Sequence, residues 1–246
     1  MNQVYENYTP EDQEVWGILF NRQFKNIDLS ATKEFSQGAA KIKFTPEAIP
    51  NFEETNKYLK ELTGWQVTAV PGIVDDDKFF ELLSNRIFPA TTWLRTREQL
   101  DYLEEPDMFH DVFGHIPLLA NQPFVDFLQG LAKIGLKYLD NPWAIHLLSR
   151  IYWFTIEFGL IRENGELKIY GAGIISSPGE TKFSLSNEPE HLAYDIEAII
   201  DSSYKKDSFQ TKYFIIENYE ELYSSLPLIE QIIEDRLKEQ PVSKVK

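Results

Sequence analysis

The sequence predicts a mainly α-helical fold with minor β-structure, of the α+β class, in a single domain. Segments with helical hydrophobic spacing, most of them opened by a helix start signal, outnumber the short runs that alternate like strands. The chain has 246 residues, of which 43% are hydrophobic and 14% aromatic, enough for one large core. No repeat, low-complexity segment or linker is visible. Residues 1–246 are therefore predicted to form one domain, with its core over about 9–237.

Two helix starts mark the N-terminal half. Thr9 is a favourable N-cap and Pro10 suits the first turn, with acids next to the positive end of the helix dipole. Thr45 and Pro46 give a second start, which leads to a helix over 51–62. The other elements predicted here are an alternating strand over 65–70, a helix opened by Asp75, Asp76 and Asp77, and an extended segment over 87–94.

The C-terminal half predicts further helices and a few short strands. Asn164 and Gly165 favour a tight turn between two strands, of which 167–170 is the clearer. The other elements predicted are helices over 124–138, 143–161 and 189–204, a strand over 213–216, and a helical region over 218–237 interrupted by Pro227.

Charge and composition exclude several classes of protein. The formal net charge of -15 argues against nucleic acid or anionic membrane as a partner, because both are negative. The absence of cysteine excludes disulfides and thiolate metal sites and fits a reducing cytosol. The first residues lack a secretory signal, and no apolar run reaches the ~20 residues that span a bilayer. We therefore expect a soluble cytoplasmic protein.

Two of the four histidines, His110 and His115, lie five residues apart between Pro106 and Pro117. Imidazole binds Fe, Zn, Cu and Ni well, so the pair is a candidate metal site. On a regular α-helix, residues five apart point ~140° apart, since each residue turns the helix by ~100°. Gly114 and the following proline predict that the helix ends here, which would let the second ring swing beside the first. The alternative is two partly buried histidines that make ordinary hydrogen bonds.

Glu157 is the only carboxylate in the strongly apolar segment 143–161. A carboxylate among apolar side chains is costly unless a cation or strong hydrogen-bond donors compensate for its lost hydration. Two histidines and one carboxylate match the facial triad of non-haem Fe(II) oxygenases, which leaves coordination positions open. The alternative is an ion pair from Glu157 to an arginine such as Arg150.

These residues belong to three sequence motifs. The three together, in this order and at this spacing, are far more specific than any one of them. The motifs are Pro106-Asp-x-x-His-Asp-x-Phe-Gly-His-x-Pro117, Ile151-Tyr-Trp-Phe-Thr-x-Glu-Phe-Gly159 and Tyr170-Gly-Ala-Gly-x-x-Ser-Ser-x-Gly-Glu180. In this combination the chain closely resembles the iron- and tetrahydropterin-dependent aromatic amino acid hydroxylases, and most closely the short bacterial phenylalanine 4-hydroxylases. The resemblance runs from about Trp16 to about Tyr219.

The resemblance implies a multihelical catalytic domain that converts L-phenylalanine to L-tyrosine with O2. The alternative is hydroxylation of tyrosine or tryptophan by the same mechanism. The resemblance also implies Fe(II) held by His110, His115 and Glu157, with tetrahydrobiopterin or a related tetrahydropterin as co-substrate. Animal members add an N-terminal regulatory domain and a C-terminal tetramerising helix. Neither is expected here, so the resemblance implies a monomer.

For the amino acid substrate, the resemblance points to Arg95, whose planar guanidinium can hold a carboxylate through two bonds, and to Trp153 as an aromatic wall. Taken alone, Arg95 would be a surface arginine at a strand end and Trp153 ordinary core. Lys206 falls in a loop that helps choose between phenylalanine and tyrosine, where an apolar residue is expected. The other positions assigned to the substrate are Leu103, where animal phenylalanine hydroxylases carry a threonine, and Pro106, Gly173 and Ser176.

For the pterin, the resemblance points to Phe79, whose ring would stack on the heterocycle, and to Asp111, where animal members carry a glutamate. It also points to the backbone of Gly72, Ile73, Val74 and Asp75. The acids over 75–77 alone would indicate no more than a favourable helix N-terminus. Tyr152 and Glu180 are assigned to the surroundings of the ligands, with Glu180 orienting a ligand histidine or its water.

Two other functions stay open. One is a zinc hydrolase that uses the same three ligands, which metal identity and pterin-dependent O2 uptake would distinguish. The other is a binder of amino acid or pterin without catalysis, which turnover would exclude.

Overall fold

The computed structural model of the chain describes residues 2–101 and 105–239. Helices dominate this part of the chain and two small sheets complete it, which confirms the predicted mainly helical α+β class. The helices are α1 (Pro10–Ile27), α2 (Lys33–Lys41), α3 (Phe52–Leu62), α4 (Asp76–Ser84), α5 (Gln122–Lys137), α6 (Pro142–Tyr152), α7 (Ala172–Ile175), α8 (Pro178–Ser184), α9 (Ile196–Asp201), α10 (Tyr219–Ser224) and α11 (Leu226–Glu239). The strands are β1 (Gln66–Val70), β2 (Ile87–Thr91), β3 (Leu160–Glu163), β4 (Glu166–Ile169), β5 (Glu190–Ala193) and β6 (Lys212–Ile216). Two segments, Phe109–His115 and Trp153–Glu157, are π-helical, and 3-10 turns cover Tyr5–Asn7, Arg97–Gln99 and Ile116–Ala120.

The two sheets are separate. Strands β1 and β2 form a parallel pair, in register from Gln66 opposite Ile87 to Val70 opposite Thr91. The larger sheet has the order β4-β3-β6-β5, with β3 and β4 antiparallel and the other pairs parallel. The β3–β4 turn has positive φ at Asn164 (51°) and Gly165 (83°), the conformation that two-residue hairpins favour. The predicted turn is therefore confirmed.

The first predicted helix start is confirmed and the second is wrong. The Thr9 hydroxyl accepts a hydrogen bond from the Asp12 N–H, and the Asp12 carboxylate accepts one from the Thr9 N–H, which closes a capping box. The later helix, α3, begins only at Phe52, with Asn51 as its cap. Pro50 explains the delay, because a proline inside a helix clashes with the carbonyl four residues earlier.

Three predictions for the C-terminal half need correction. Residues 189–204 do not form one helix, because β5 pairs with β6 and α9 begins after the Asp195 cap. The predicted helix over 143–161 ends early: α6 gives way to the π-helical segment 153–157, and β3 begins at Leu160. The break in the last helical region falls at Ser225, and Pro227 lies in the first turn of α11, where proline is tolerated.

One cluster of buried apolar side chains runs from Val15 on α1 to Ile233 on α11. It holds the back of the first π-helical segment, where Phe109 stacks on Phe113 with ring centroids 4.7 Å apart. Trp16 packs against the Phe109 ring at 5.8 Å. Burying such side chains contributes roughly 1.5–3 kcal/mol each. The element that carries the histidine pair is thus fixed from behind by the core. Among the described residues, every helix is too short or too polar to span a bilayer.

Candidate metal centre

Three predicted ligand side chains converge on one point. His110, His115 and Glu157 each offer a ligand atom, and the three atoms lie within 4.8 Å of one another. The Nε2 of His115 is 3.1 Å from Oε1 of Glu157, and the Nε2 of His110 is 3.7 Å from its Oε2. The two imidazole rings stand nearly perpendicular, with centroids 5.2 Å apart. The structure therefore brings together the ligand set predicted from the sequence.

The π-helical turn of residues 109–115 explains how histidines five apart can share a site. In a π-helix the N–H of residue i+5 bonds to the carbonyl of residue i, so such residues lie one above the other. The predicted helix end at Gly114 and Pro117, which would swing the second ring round, is absent. The chain instead stays helical, and passes into a 3-10 turn at Ile116. Gly114 allows a close approach of α7, because a Cβ there would lie 3.0 Å from the Ala172 carbonyl oxygen.

A second π-helical segment places Glu157. The Phe158 N–H donates to the Trp153 carbonyl at 2.8 Å, a five-residue span, and the chain then leaves the helix at Gly159. A Cβ on Gly159 would lie 2.1 Å from Cζ of Tyr170, so the turn requires glycine. The alternative ion pair is not formed, because Arg150 donates to the Ile200 carbonyl instead.

The electrostatics of the cluster keep Glu157 ionised. Burial pushes its pKa upward, but the charge and hydrogen bond of His115, with a further contribution from His110, hold the pKa below its ordinary value. Close by, burial raises the pKa of Tyr152 well above its ordinary value, and the negative charges of Glu157 and Asp111 raise it further. The site thus combines one carboxylate with a neutral phenol.

The hydrogen bond between His110 and Ser176 determines which ring nitrogen can bind a metal. Nδ1 of His110 lies 2.9 Å from the Ser176 hydroxyl oxygen, and that hydroxyl lies 2.9 Å from the Ala172 carbonyl. A hydroxyl has one proton, and a carbonyl can only accept it, so Nδ1 of His110 donates to the serine oxygen. This tautomer leaves the Nε2 lone pair for a metal. The resemblance assigned Ser176 to the substrate, and its contact with a ligand histidine was missed.

The donor set suits a divalent metal. Two imidazole nitrogens and one ionised carboxylate meet at a largely buried point, where the Glu157 side chain is 14% exposed and His115 4% exposed. Without a cation, this carboxylate would depend on the histidines alone for compensation. Iron, zinc, cobalt and nickel all accept such a set, so the three ligands fit a metal without selecting one of these ions.

Arg95 is held by a carboxylate that the sequence reasoning missed. Asp107 is fully buried, and it accepts from Nε and Nη2 of Arg95, both at 2.9 Å. It also accepts from the Arg95 N–H at 3.0 Å and from the His110 N–H at 3.2 Å. The guanidinium keeps a second edge, Nη1 with the other Nη2 hydrogen, that could bind a ligand carboxylate. The substrate role of Arg95 stays a prediction.

The predicted pterin residues lie on and around α4. Phe79 packs edge-on against Tyr152, with ring centroids 5.4 Å apart. The loop that carries residues 72–75 joins β1 to α4, and its Ile73 is 90% exposed. Asp111 accepts a hydrogen bond from the Thr91 N–H at the end of β2. Phe79 is thus connected to the ligand cluster through Tyr152, whose pKa the charges of Glu157 and Asp111 raise.

The other residues predicted to bind the substrate have different surroundings. Trp153 stacks on Tyr204, which the sequence reasoning missed, with ring centroids 4.4 Å apart and planes 20° apart. Gly173 lets the Glu157 backbone approach, because a Cβ there would lie 3.1 Å from the Glu157 carbonyl oxygen. Pro106 is exposed, and Leu103 lies outside the described residues.

Glu180 contacts neither His110 nor His115, so it does not orient a ligand histidine directly, and its role toward the water of a ligand stays a prediction. Its Oε1 accepts from the Tyr213 hydroxyl at 2.7 Å and from the Gln210 N–H at 3.1 Å. Both donors lie in or next to β6, and β6 packs beside β3 in the larger sheet, so the carboxylate turns toward the sheet. Its position in the third motif gave no sign of this, because the partners come 30 and 33 residues later.

Comparisons with known proteins agree with this geometry. Residues 3–238 match the model of the family described as biopterin-dependent aromatic amino acid hydroxylase. The chain is 44% identical to a phenylalanine-4-hydroxylase of Ralstonia nicotianae over 92% of its length and 72% of the relative's. It is 42% identical to the Chromobacterium violaceum phenylalanine-4-hydroxylase, over 91% of this chain and 75% of that one.

A solved structure of the Chromobacterium violaceum phenylalanine hydroxylase, with bound iron(III) and oxidised cofactor 7,8-dihydrobiopterin, superimposes with a TM-score of 0.91 at 40% identity. The match covers 98% of this chain and 87% of that structure. Sequence, fold and ligand set therefore agree, and the chain belongs to the biopterin-dependent aromatic amino acid hydroxylase family.

Proposed function

We propose that this protein is a phenylalanine 4-monooxygenase that hydroxylates L-phenylalanine to L-tyrosine with O2 and a tetrahydropterin at a non-haem Fe(II) centre. The observation that carries the proposal is the convergence of His110, His115 and Glu157 within 4.8 Å. The choice of phenylalanine as the substrate is supported by relatives at 42–44% identity that are phenylalanine-4-hydroxylases.

His110, His115 and Glu157 would hold the iron and leave coordination positions open. Bound iron and reduced pterin together supply the activation of O2. The chain prepares the ligands for this. Ser176 would hold the His110 ring in the tautomer that offers Nε2 to the metal.

The chain would also orient the substrate. Arg95, braced by Asp107, would present its second guanidinium edge to the carboxylate of the amino acid. The stacked rings of Trp153 and Tyr204 would form an apolar wall beside the aromatic ring of the substrate. Aligning that ring with the iron in a pocket that excludes water is what accelerates the reaction.

The pterin would lie beside α4. The backbone of residues 72–75 would meet its amide edge, and the Phe79 ring would stack on its flat face. Asp111, fixed by the Thr91 N–H, would contribute a carboxylate to the pterin site. Tyr152 would close the wall behind Phe79.

We further propose a cytoplasmic monomer with one catalytic domain, whose partners are small molecules and neither nucleic acid nor membrane. The net charge of -15 supports the exclusion of nucleic acid and anionic membrane, and the absence of cysteine supports a reducing compartment. The continuous buried cluster supports a single domain over the described residues.

The test is anaerobic reconstitution with Fe(II), followed by O2, tetrahydropterin and each of the three aromatic amino acids. We expect tyrosine to form from phenylalanine with matched O2 uptake, and kcat/KM to be highest for phenylalanine. A hydrophobic pocket rejects an added hydroxyl by only about 100-fold. A higher kcat/KM for tyrosine would transfer the assignment to tyrosine hydroxylation, and Lys206→Ile would then be the variant to compare. Hydrolytic activity that requires zinc and needs no pterin would indicate a hydrolase instead.

A further inference from the structure

The connection between α9 and β6 contains a loop of five exposed residues, 205–209, closed by one buried side chain. That side chain is Gln210, which is 2% exposed. Its Oε1 accepts from the Lys205 N–H at 3.1 Å, and its Nε2 donates to the Lys205 carbonyl at 2.6 Å. The side-chain amide therefore satisfies both backbone groups of Lys205, as a peptide group of a neighbouring strand would.

The backbone of Gln210 is itself held by a buried carboxylate. Its N–H donates to Oε1 of Glu180, the same buried oxygen that accepts from the Tyr213 hydroxyl. Glu180 is 6% exposed, so a shift of Gln210 would leave a buried carboxylate short of a donor. The closure of the loop is therefore tied to the body of the protein.

The residues at the two ends of the loop pack against other elements, and one of these carries a proposed metal ligand. Tyr204, just before the loop, stacks on Trp153, the first residue of the π-helical segment that ends at Glu157. Phe209, at its other end, packs on Phe183 of α8 with ring centroids 5.2 Å apart. Gly179 makes room for it, because a Cβ there would lie 2.7 Å from Cζ of Phe209.

We propose that Gln210 is a positioning residue for the amino acid substrate. By closing the loop, it fixes residues 205–209 beside the stacked rings of Tyr204 and Trp153. The loop then limits which aromatic side chain the site accepts. This inference rests on the proposed function, since it names what determines the choice of substrate. If the amide were removed, water could replace it at Lys205 because the loop is exposed, and the loop would relax.

Two variants separate the amide from the volume of the side chain. Gln210→Met keeps the length and loses the hydrogen bonds. Gln210→Asn keeps the amide, but its side chain is one methylene too short to reach Lys205. It is the variant to use if Gln210→Met does not fold. Gln129→Met is the control, because Gln129 also donates to a backbone carbonyl, that of Ser84, away from the metal centre.

The first readout does not depend on activity. Lys205 and Lys206 are exposed trypsin sites, and cleavage after Lys205 requires its carbonyl to leave Gln210. We expect cleavage at this loop, located by mass spectrometry, to be about tenfold faster in both Gln210 variants than in wild type and control.

The second readout is selectivity at unchanged iron affinity. We expect the ratio of kcat/KM for phenylalanine to that for tryptophan to fall about tenfold in Gln210→Met, within the range that pocket shape contributes. The control should keep the wild-type ratio, and all variants should bind iron equally.

Unchanged cleavage in both Gln210 variants would overturn the proposed closure. Faster cleavage with an unchanged substrate ratio would overturn the role in selectivity. If the wild type turned over no aromatic amino acid, the proposed function would fail and the selectivity role with it. The cleavage result would still decide whether Gln210 holds the loop.

Discussion

The guanidinium of Arg95 is paired along one edge with the buried carboxylate of Asp107, through two hydrogen bonds of 2.9 Å each. The same carboxylate accepts from the His110 N–H at 3.2 Å. One fully buried acid therefore links the arginine proposed to hold the substrate to the backbone of a metal ligand. The proposed substrate contact and the proposed metal ligand therefore share one support.

Arg95→Lys should impair substrate binding strongly, because lysine keeps the charge and loses the planar fork. We expect KM for the amino acid to rise by roughly 30- to 1000-fold, equivalent to ~2–4 kcal/mol. Steady-state kinetics would measure this, with Arg97→Lys as a control, because Arg97 pairs with Glu14 at the surface. An unchanged KM would place Arg95 outside the substrate site.

Ser176→Ala should weaken iron binding by about 10- to 100-fold, because the His110 ring loses the partner that selects its tautomer. Titration of the apoprotein with Fe(II) or Co(II) would measure the affinity. Ser149→Ala is the matched control, since the Ser149 hydroxyl also donates to a backbone carbonyl at 2.9 Å and touches no ligand. Equal affinities for Ser176→Ala and the control would contradict the assigned role.

Phe79→Ala should weaken the pterin more than the amino acid, because it removes one stacking face. The loss should be ~1 kcal/mol, or about fivefold in KM for the pterin. Measuring both KM values decides the matter. Equal effects on pterin and amino acid would indicate collapse of the contact between Phe79 and Tyr152 instead.

Glu180 should make the protein less stable as the pH rises. Burial raises its pKa above the ordinary value, although the bonds from Tyr213 and Gln210 oppose the shift. The folded state then binds this proton more tightly than the unfolded state does. Its contribution to stability is complete below the ordinary pKa of about 4.3 and is lost as pH rises through the raised value.

Glu180→Gln keeps the acceptor oxygen and cannot ionise. The difference in Tm between Glu180→Gln and wild type should therefore increase in favour of the variant from about pH 4 upward. Calorimetry of the metal-free proteins across this range would measure it, with the exposed Glu61→Gln as control. A difference that stays constant, or shrinks with pH, would show that Glu180 carries no raised pKa.

The ligand set was predictable because its signals are local. His110 and His115 stand five apart in one motif, and Glu157 is a lone acid in an apolar segment. The way they meet was not predictable, since π-helical segments of seven and five residues are too short to show a period of their own in the sequence. The roles of Ser176 and Asp107 were missed for a related reason. The first depends on a contact spanning 66 residues, and the second on a pairing that the motif alone does not reveal.

Strand β5 shows the same limit in the fold. Residues 190–193 are too short to display a clear alternation, and the acids and alanines around them favour a helix. Their pairing with β6, for example Leu192 opposite Phe214, overrides that local preference. The hairpin turn at Asn164 and Gly165 was predicted correctly because its two residues determine it by themselves.

The most direct test of the central claim measures iron content and tyrosine formation together in wild type, His115→Ala and His146→Ala. His146 lies on α6, stacked on Trp143, and serves as the matched control. We predict one iron per chain and pterin-dependent tyrosine formation in wild type and His146→Ala. In His115→Ala we predict loss of both, with the fold retained by circular dichroism. Stoichiometric iron and normal tyrosine formation in His115→Ala would contradict the account.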